Sequence, residues 1–394
     1  MPQSRRCADA AALQVAPATA PSATAPAVPT PPVVPGAPAR ATLADVAQRA
    51  GVSRSTASRG LTGRGYVAPA ARERILLAAE ELGYVPDGNA RSLKARHTPA
   101  VGLLVSDLRN RFYAEVAAGA SSVLREHGYT IVLVDDTGSD PEEVAAARTV
   151  LAMRVAGVLV TPVSAEAGRM VARHGVPLVE IDRQFCRGEC DAVLVDNVTG
   201  ARELTEHLLG LGHRRIALLV NETGWTTSAG RIKGYHQAWA AAGREVPADG
   251  LEPVGFDPAR IEEKVGEVLS RRRRPTAVFA ANNVVAEAVW RQSARLGLRI
   301  PEDLSFVAFD DSPWMSMVSP GITTVAQPSV ELGARAARLL LNRMAKPGRP
   351  RTTRLDCPLI VRGSTARLGR RRTASRGERG DGRAGLGRPA GALT

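Results

Sequence analysis

The chain has little of several residue types that mark large protein classes. Only four of its 394 residues are cysteines, and 4% are aromatic. No stretch approaches the roughly 18 unbroken apolar residues of a membrane helix. Four cysteines in a chain of this length do not make a disulfide framework. The low cysteine content argues against a secreted domain stabilised by disulfides, and the lack of long apolar runs argues against a membrane protein.

Motifs of the common catalytic classes are also missing from the sequence. It has no nucleophile elbow, no phosphate-binding loop and no glycine-rich dinucleotide turn. Cys186 and Cys190 form a C-x3-C pair, for which a metal or redox role is an alternative, but no histidine or second pair accompanies them. We therefore predict that the protein is not an enzyme and has no metal site and no cofactor.

What the chain does have is positive charge, and this charge is unevenly placed. The formal net charge is +13. Residues 42–98 hold nine basic and five acidic residues, and residues 366–394 hold eight arginines and two acidic residues. Residues 99–365 are nearly neutral by comparison. A basic excess outside the large middle of the chain predicts a polyanionic partner, and double-stranded DNA is the one we expect.

The two ends of the chain are too biased in composition to form a core. Residues 1–41 are rich in alanine and proline, and residues 366–394 in arginine and glycine. Both compositions predict disorder. Arg5 and Arg6 are not followed by an apolar run of signal-peptide length. We therefore expect a cytoplasmic protein, located on the nucleoid and not at a membrane.

Residues 42–61, TLADVAQRAGVSRSTASRGL, predict two short helices joined by a tight turn. Thr42 and Asp45 have the spacing of a capping box, Gly51 suits a left-handed turn, and Ser53 can cap the second helix. The outward face of that helix carries arginine and hydroxyl side chains and no acid. Such a helix fits the major groove of DNA, although a solvated surface hairpin is the alternative.

A third amphipathic helix follows, from Pro69 to about Gly83. Its spacing predicts an apolar face that includes Ile75, Leu76 and Leu82. Together the three segments predict a small helical unit with its own core.

From residue 99 onward, short apolar runs alternate with amphipathic stretches. This alternation predicts parallel sheets with helices on both faces. Eight or more strands exceed one such sheet, so we predict two α/β lobes with a ligand cleft at the carboxyl ends of the strands. The predicted strands are Val101–Val105, Thr130–Val134, Gly157–Val160, Pro177–Ile181, Val193–Val195, Ile216–Val220, Ala277–Ala280 and Leu304–Phe309.

Polar residues follow five of these runs. Helix capping explains each of them equally well in isolation, but five together favour a lined cleft. The five clusters are Asp107 with Asn110, Asp182 with Arg183, Asp196 with Asn197, Asn282 with Asn283, and Asp310 with Asp311.

The order of these features resembles the lactose-repressor/galactose-repressor family of bacterial transcription regulators. The resemblance covers about residues 42–365. It implies an all-α helix-turn-helix headpiece with a hinge helix, followed by an α/β two-lobed core similar to periplasmic binding proteins. Matching stretches include DVA at 45–47, AGVS at 50–53, LGY at 82–84, ARSL at 90–93, VAGVLVTP, VDNVTGARELTEHLLGLGHRRIAL and LGLRIPEDLSFVAFDD.

The same resemblance implies limits for the domains. Residues 42–98 would be the headpiece and hinge, and residues 99–365 the effector-binding core. One lobe would take about 99–213 and 327–345, and the other about 214–325 and 352–365. Gly60 stands where the family has a larger aliphatic residue, and we expect it to weaken the end of the second helix.

The resemblance also implies contacts with DNA. Arg54, Ser55 and Arg59 would read base edges, and Thr56 and Ser58 would hold phosphates.

In the hinge, Leu93 would wedge into the minor groove at the centre of a palindromic operator. Arg91 and Lys94 beside it would meet phosphates.

For the small-molecule effector, the implied contacts are Phe112, Arg231, Asn282, Asp310 and Gln327. Trp225, Phe256 and Trp314 are candidates for a stacking wall, with ordinary core packing as the alternative.

These features predict a ligand-responsive repressor of transcription. It would bind a palindromic operator as a homodimer. A small molecule in the inter-lobe cleft would control its DNA affinity. The family resemblance implies that this molecule is a sugar. The alternative is a sugar-binding solute receptor without specific DNA reading, which fits the core but leaves the basic headpiece unexplained. The effector, the operator and the sign of regulation stay open at this stage.

Overall fold

The computed structural model describes residues 41–63, 65–85, 98–221 and 224–369. They belong to two compact units, of which the first ends at Asp87 and the second begins at Gly88. The predicted hinge contacts Arg91, Leu93 and Lys94 lie outside the described residues, as does nearly all of both biased termini. No helix among the described residues is long and apolar enough to cross a membrane.

The first unit is a three-helix headpiece whose ends follow the predicted caps. The Thr42 hydroxyl accepts from the Asp45 amide, and the Asp45 carboxylate accepts from the Thr42 amide at 2.7 Å, so the capping box is confirmed. Gly51 has φ +66°, as the left-handed turn requires. The Ser53 hydroxyl caps the second helix. The helices are α1 (Leu43–Arg49), α2 (Arg54–Thr62) and α3 (Pro69–Glu81).

The core of the headpiece is built from small and β-branched side chains. Ile75, Ala78 and Ala79 of α3 are buried in it. Leu76 and Leu82, predicted for the same face, are 49% and 37% exposed, so that prediction was wrong. Leu76 follows Ile75 directly and is therefore turned about 100° around the helix.

Gly60 lies inside α2, three residues before its C-cap. The helix continues to Thr62 and ends at Gly63, which has φ +68°. Gly60 is buried, and a Cβ there would lie 2.6 Å from Cδ1 of Ile75. The glycine therefore allows α2 to approach α3 closely.

The second unit contains two α/β lobes whose sheets have corresponding strand orders. The strands are β1 (Ala100–Val105), β2 (Thr130–Asp135), β3 (Gly157–Val160), β4 (Leu178–Ile181), β5 (Asp191–Val195), β6 (Ile216–Val220), β7 (Leu251–Pro253), β8 (Ala277–Ala280), β9 (Ser305–Phe309), β10 (Thr323–Val325), β11 (Thr352–Leu355) and β12 (Leu359–Ile360). The helices are α4 (Arg111–Glu126), α5 (Asp140–Ala152), α6 (Glu166–Arg173), α7 (Asn197–Gly210), α8 (Thr226–Ala241), α9 (Pro258–Ser270), α10 (Asn283–Arg295), α11 (Trp314–Met317) and α12 (Ser329–Ala345).

The two six-stranded sheets run in the orders β11-β5-β4-β3-β1-β2 and β12-β10-β9-β8-β6-β7. All neighbouring pairs are parallel except β10 with β12. In each sheet the order reverses beside the first strand, between β1 and β3 and between β6 and β8. Ligands of doubly wound sheets bind at such switch points, so this topology positions the site.

The eight predicted strands are all present, and none of their ends moves by more than two residues. The pattern missed β7, β10, β11 and β12, which have two to four residues each. Runs this short carry too little periodicity to stand out from loops.

The predicted lobe limits were wrong at two places. Helix α7, assigned to the first lobe, packs on β8, β9, β10 and β12 of the second. Strand β11, assigned to the second lobe, pairs with β5 of the first. The chain crosses directly after β5 because Asp196 caps α7, its carboxylate accepting from the Thr199 amide at 3.0 Å.

Glycines allow one helix pair in each lobe to approach closely. A Cβ at Gly119 of α4 would lie 1.9 Å from the Val330 carbonyl oxygen, and one at Gly333 of α12 would lie 1.9 Å from that of Val116. In the second lobe, a Cβ at Gly234 of α8 would lie 2.2 Å from the backbone of α7. These obstacles are backbone atoms, which cannot turn aside as a side chain can.

We therefore expect Gly333→Ala to destabilise the protein by about 1–3 kcal/mol through overpacking. Gly210→Ala is the matched control, because Gly210 is also helical and no atom lies within 4 Å of its Cβ position. That substitution should be neutral or stabilising by up to about 1 kcal/mol. Urea unfolding of both variants compares them, and equal stabilities would contradict this account of the helix contact.

Candidate functional site

A cavity of about 70 Å³ lies between the two lobes, at the carboxyl ends of their strands. All five residues that the resemblance implied for the effector line it, namely Phe112, Arg231, Asn282, Asp310 and Gln327. They come from both lobes and from five different segments of the chain. The fold therefore brings together residues that are up to about two hundred positions apart in the sequence.

An aspartate with unusual backbone geometry follows one strand of each sheet. Asp182 comes after β4 with φ +67°, and Asp310 comes after β9 with φ +77°. The two strands occupy corresponding places in the two sheets. Left-handed backbone at a residue with a side chain costs about 1–2 kcal/mol, and such strain collects at functional sites.

Asp310 organises the second lobe's side of the cavity. Its carboxylate accepts from the Asn283 amide at 3.0 Å and from Nε2 of Gln327 at 2.5 Å. Asn282 serves as the N-cap of α10 and also donates to the Asn221 side chain. Helix capping, the alternative for strand-end residues, thus accounts for part of the role of Asn282.

Arg231 is held rigidly beneath the cavity. It is 5% exposed and donates to Oδ1 of Asn197 at 2.8 Å and to the carbonyl oxygen of Ala281. Its guanidinium carbon lies 3.9 Å from the centroid of the Phe309 ring. A positive charge fixed in this way favours acceptor atoms nearby.

Arg183 lines the cavity on the first lobe's side. It donates to the hydroxyl of Tyr113 at 2.5 Å, to the Pro162 carbonyl at 3.1 Å and to Ser106 at 3.3 Å. Its guanidinium carbon also lies 3.9 Å from the centroid of the Trp225 ring, which belongs to the other lobe. Arg183 therefore links the lobes by a cation–π contact.

Two hydrogen bonds also cross the cleft directly. Nδ2 of Asn283 donates to Oδ1 of Asn110 at 2.9 Å, and the Gln184 amide donates to the Thr226 hydroxyl at 3.2 Å. The lobes are thus joined around the cavity by contacts that an opening motion would break.

Two of the three candidates for the stacking wall line the cavity. Trp225 and Phe256 line the cavity and meet edge to face, with ring centroids 5.3 Å apart. Trp314 does not line it and packs instead near Trp290. The core-packing alternative therefore fits Trp314.

Three buried acceptor atoms in the cleft have no hydrogen-bond partner among the described residues. They are Oδ1 of Asp182, Oδ1 of Asn283 and Oε1 of Gln327. Each unmet acceptor costs about 1–3 kcal/mol of desolvation. A ligand that presents several O–H or N–H donors would satisfy them.

The polar residues that line the cleft and were absent from the implied effector set include Asp182, Arg183, Asn221 and Asn283. The strand-end rule pointed to Asp182, Arg183 and Asn283, but the resemblance singled out others. Asn221 directly follows β6, so the strand-end rule could have found it as well.

On the headpiece, the predicted DNA contacts lie along one helix. Arg54, Ser55 and Arg59 of α2 are exposed, and Thr56 and Ser58 are half-buried. The opposite face buries Ala57 and Gly60 in the headpiece core. This nine-residue helix has no acidic residue, so its exposed face offers only donors and hydroxyls.

Known family models match both the headpiece and the core of the chain. The family model described as bacterial regulatory proteins, lacI family, matches residues 42–87, and the model for periplasmic binding protein-like domains matches residues 205–365. The ribose operon repressor of Escherichia coli strain K12 is 32% identical over 311 residues, which are 78% of this chain and 94% of that protein.

Two solved structures extend the similarity to three dimensions. The complex of the transcriptional regulator CelR with cellobiose is 32% identical, with a TM-score of 0.62 over 82% of this chain and 100% of that one. The lac repressor dimer bound to operator and the anti-inducer ONPF is 26% identical, with a TM-score of 0.73 over 83% of this chain and 100% of that one. The expected combination of helical headpiece and two-lobed α/β core is thereby confirmed.

A buried carboxyl group beside the cleft gives the core a pH-dependent stability. Burial raises the pKa of Asp136 to about 7, although its carboxylate accepts from the Gly138 amide at 3.0 Å. Glu143 raises this pKa further, whereas Arg183 lowers it. Gly138 in turn lies against the Phe256 ring across the cleft.

We expect stability to fall as the pH rises through the window from about 4 to 7, because the folded protein keeps a proton on Asp136 that the unfolded chain releases. Asp136→Asn removes this dependence. Relative to that variant, the wild type should lose about 2 kcal/mol between about pH 5 and pH 7, and less than about 0.5 kcal/mol more at higher pH. Urea unfolding at several pH values measures the difference, and two parallel pH profiles would refute the assignment.

Proposed function

Because the chain belongs to the lacI family of bacterial regulatory proteins, we propose that it is a ligand-responsive, DNA-binding repressor of transcription and not an enzyme. It acts as a homodimer on a palindromic operator, since two-fold protein symmetry matches two half-sites. Its place is the cytoplasm, on the nucleoid DNA. The similarity to a lac repressor dimer bound to operator supports this assignment.

In this proposal α2 is the recognition helix. Arg54, Ser55 and Arg59 contact base edges in the major groove, and Thr56 and Ser58 contact phosphates. The exposure of the first three and the lack of acid on the helix support these roles.

The hinge carries the second DNA contact of the proposal. Leu93 inserts into the minor groove, and Arg91 and Lys94 flank it on the phosphates.

The effector is a sugar or a similar small polyol in the inter-lobe cleft. The observation that carries this proposal is the set of three acceptor oxygens without a partner among the described residues, which calls for a ligand with several hydroxyl donors. The contacts are Phe112, Arg231, Asn282, Asp310 and Gln327, and we add Asp182 and Asn283 to them. The complex of CelR with cellobiose supports the ligand class.

Ligand binding is coupled to DNA binding through the closure of the lobes. A ligand that satisfies acceptors on both sides of the cleft stabilises one relative position of the lobes over others. The coupling is reciprocal: an effector that weakens DNA binding is itself bound more weakly by the protein on DNA.

The test is fluorescence anisotropy with DNA from the region upstream of the protein's own gene, measured across a salt series beside a scrambled DNA. Arg59→Ala should weaken binding to the specific site by about 5–150-fold, which corresponds to 1–3 kcal/mol for a base-reading arginine, and should leave binding to the scrambled DNA nearly unchanged. Arg72→Ala, which removes an exposed arginine from α3, is the control and should have little effect on discrimination.

Equal and steeply salt-dependent binding to both DNAs would contradict specific reading by the headpiece. The solute-receptor alternative would then be favoured, provided that a sugar still binds the core.

For the cleft, we expect Asp182→Asn to weaken sugar binding by at least about tenfold, because it removes a buried charged acceptor. Asparagine tolerates the left-handed backbone at this position, so the fold should be kept. Asp303→Asn is the control, since Asp303 pairs with Arg299 on the surface. Isothermal titration calorimetry with a panel of pentoses and hexoses measures the affinities. Equal affinities in the two variants would exclude Asp182 from the site.

A further inference from the structure

Strand β4 and the loop after it bring two thiols and a carboxylate together inside the first lobe. The Sγ atoms of Cys186 and Cys190 and a carboxylate oxygen of Glu180 lie within 4.8 Å of one another, and all three residues are buried. None of the three is among the described residues that line the effector cavity. The cluster is therefore a second site, separate from the cleft.

The Glu180 carboxylate is buried without a cation. Its oxygens accept from the amides of Phe185 at 3.2 Å and Cys186 at 3.0 Å, which fixes its orientation. A carboxylate has about four acceptor positions, so part of its capacity remains free toward the sulfur atoms. Within the described part of the chain, amides and thiols are the groups that act on it, and no basic side chain pairs with it. Burial raises the pKa of this carboxyl group, and a bound cation would favour its charged form.

The helix packed beside the cluster leaves room for the sulfur atoms. A Cβ at Gly168 of α6 would lie 3.0 Å from Sγ of Cys186 and 3.9 Å from Oε1 of Glu180. A glycine within a helix costs about 1 kcal/mol relative to alanine. At this position it keeps a side chain away from the place where the thiols and the carboxylate meet.

We propose that Glu180, Cys186 and Cys190 form a binding site for a zinc-class divalent cation. Thiolate sulfur together with one carboxylate oxygen is a donor set that suits Zn²⁺, whereas Mg²⁺ and Ca²⁺ require mainly oxygen ligands. Zn²⁺ takes four ligands, and water supplies the fourth. Each sulfur releases its proton to the solvent when it coordinates the metal. The two thiolates and the carboxylate then carry three negative charges against two on the ion, so the loaded site has one net negative charge.

The C-x3-C spacing lies within the range of paired zinc ligands, but the third ligand could not be read from the sequence. Glu180 precedes Cys186 by six residues and lies on a strand, whereas both cysteines lie in a loop. A bound ion would tie this loop to β4. The same loop starts with Asp182 and Arg183, so the ion would also restrain the first lobe's side of the cleft.

Titration of the full-length protein with Cd²⁺ under a phosphine reductant tests the proposal. Thiolate-to-cadmium charge-transfer absorbance should rise to saturation at one ion per chain, and Zn²⁺ should reverse it. Cys186→Ser and Cys190→Ser should abolish the saturable absorbance. Cys357→Ser, which changes the third buried free cysteine, is the control and should retain it.

Two further variants keep both thiols and distinguish metal binding from a loss of folding. Glu180→Gln should weaken Cd²⁺ affinity by about tenfold or more, because it removes the anionic ligand while preserving shape. Gly168→Ala should weaken it by crowding Sγ of Cys186. Folding of every variant is checked by circular dichroism.

The proposal is overturned if the folded wild type shows no saturable absorbance, or if Cys186→Ser binds Cd²⁺ as the wild type does. If a cysteine variant does not fold, Glu180→Gln decides the matter, since an unchanged Cd²⁺ affinity in that variant also overturns the proposal.

Discussion

Buried charge between the lobes is the constraint on which the rest of the core depends. Asp182 and Asp310 stand in left-handed backbone at corresponding strand ends, with Arg183 and Arg231 fixed beside them. Burying such groups is costly unless each charge has partners. Most of these partners belong to the same lobe as the charge, and the Trp225 ring is the contact of Arg183 with the other lobe. Both aspartates lie at the carboxyl ends of parallel strands, on the two sides of the same cleft. Within each lobe, helices pack closely against one another at glycines. Some acceptor atoms in the cleft have no hydrogen-bond partner among the described residues, and a bound ligand would supply the donors for them.

Local signals predicted the headpiece well because caps and turns depend on only a few neighbouring residues. The capping box at Thr42 and the left-handed turn at Gly51 formed as expected. The error arose where packing decides, since Leu76 is half exposed. The close contact of Gly60 with Ile75 likewise depends on packing and could not be read from the sequence. Likewise, the long buried strands were found from their apolar runs. The short β11 and the lobe assignment of α7 were not, because they depend on pairing between segments far apart in the chain.

The cleft was predictable in part because parallel sheets place their functional residues at strand ends. Asp310 and Asn282 follow from that rule together with the family resemblance. Arg183 could be recognised as a link between the lobes only once Trp225 was placed against it. The grouping of Glu180 with Cys186 and Cys190 was invisible for the same reason, since a strand and a loop must fold together to form it. The chain is nevertheless a regulator of the lacI family, and its sequence motifs predicted its overall organisation correctly.

The central claim is that a ligand in the cleft controls DNA binding, and one measurement tests it most directly. Operator affinity is measured by anisotropy over a range of sugar concentrations, for the wild type and for Asp182→Asn. The account predicts that saturating sugar changes operator affinity by about 5–150-fold in both proteins. The variant should need at least about tenfold more sugar to reach the midpoint of that change. An identical sugar dependence in the two proteins, or no change in operator affinity with any sugar, would contradict it.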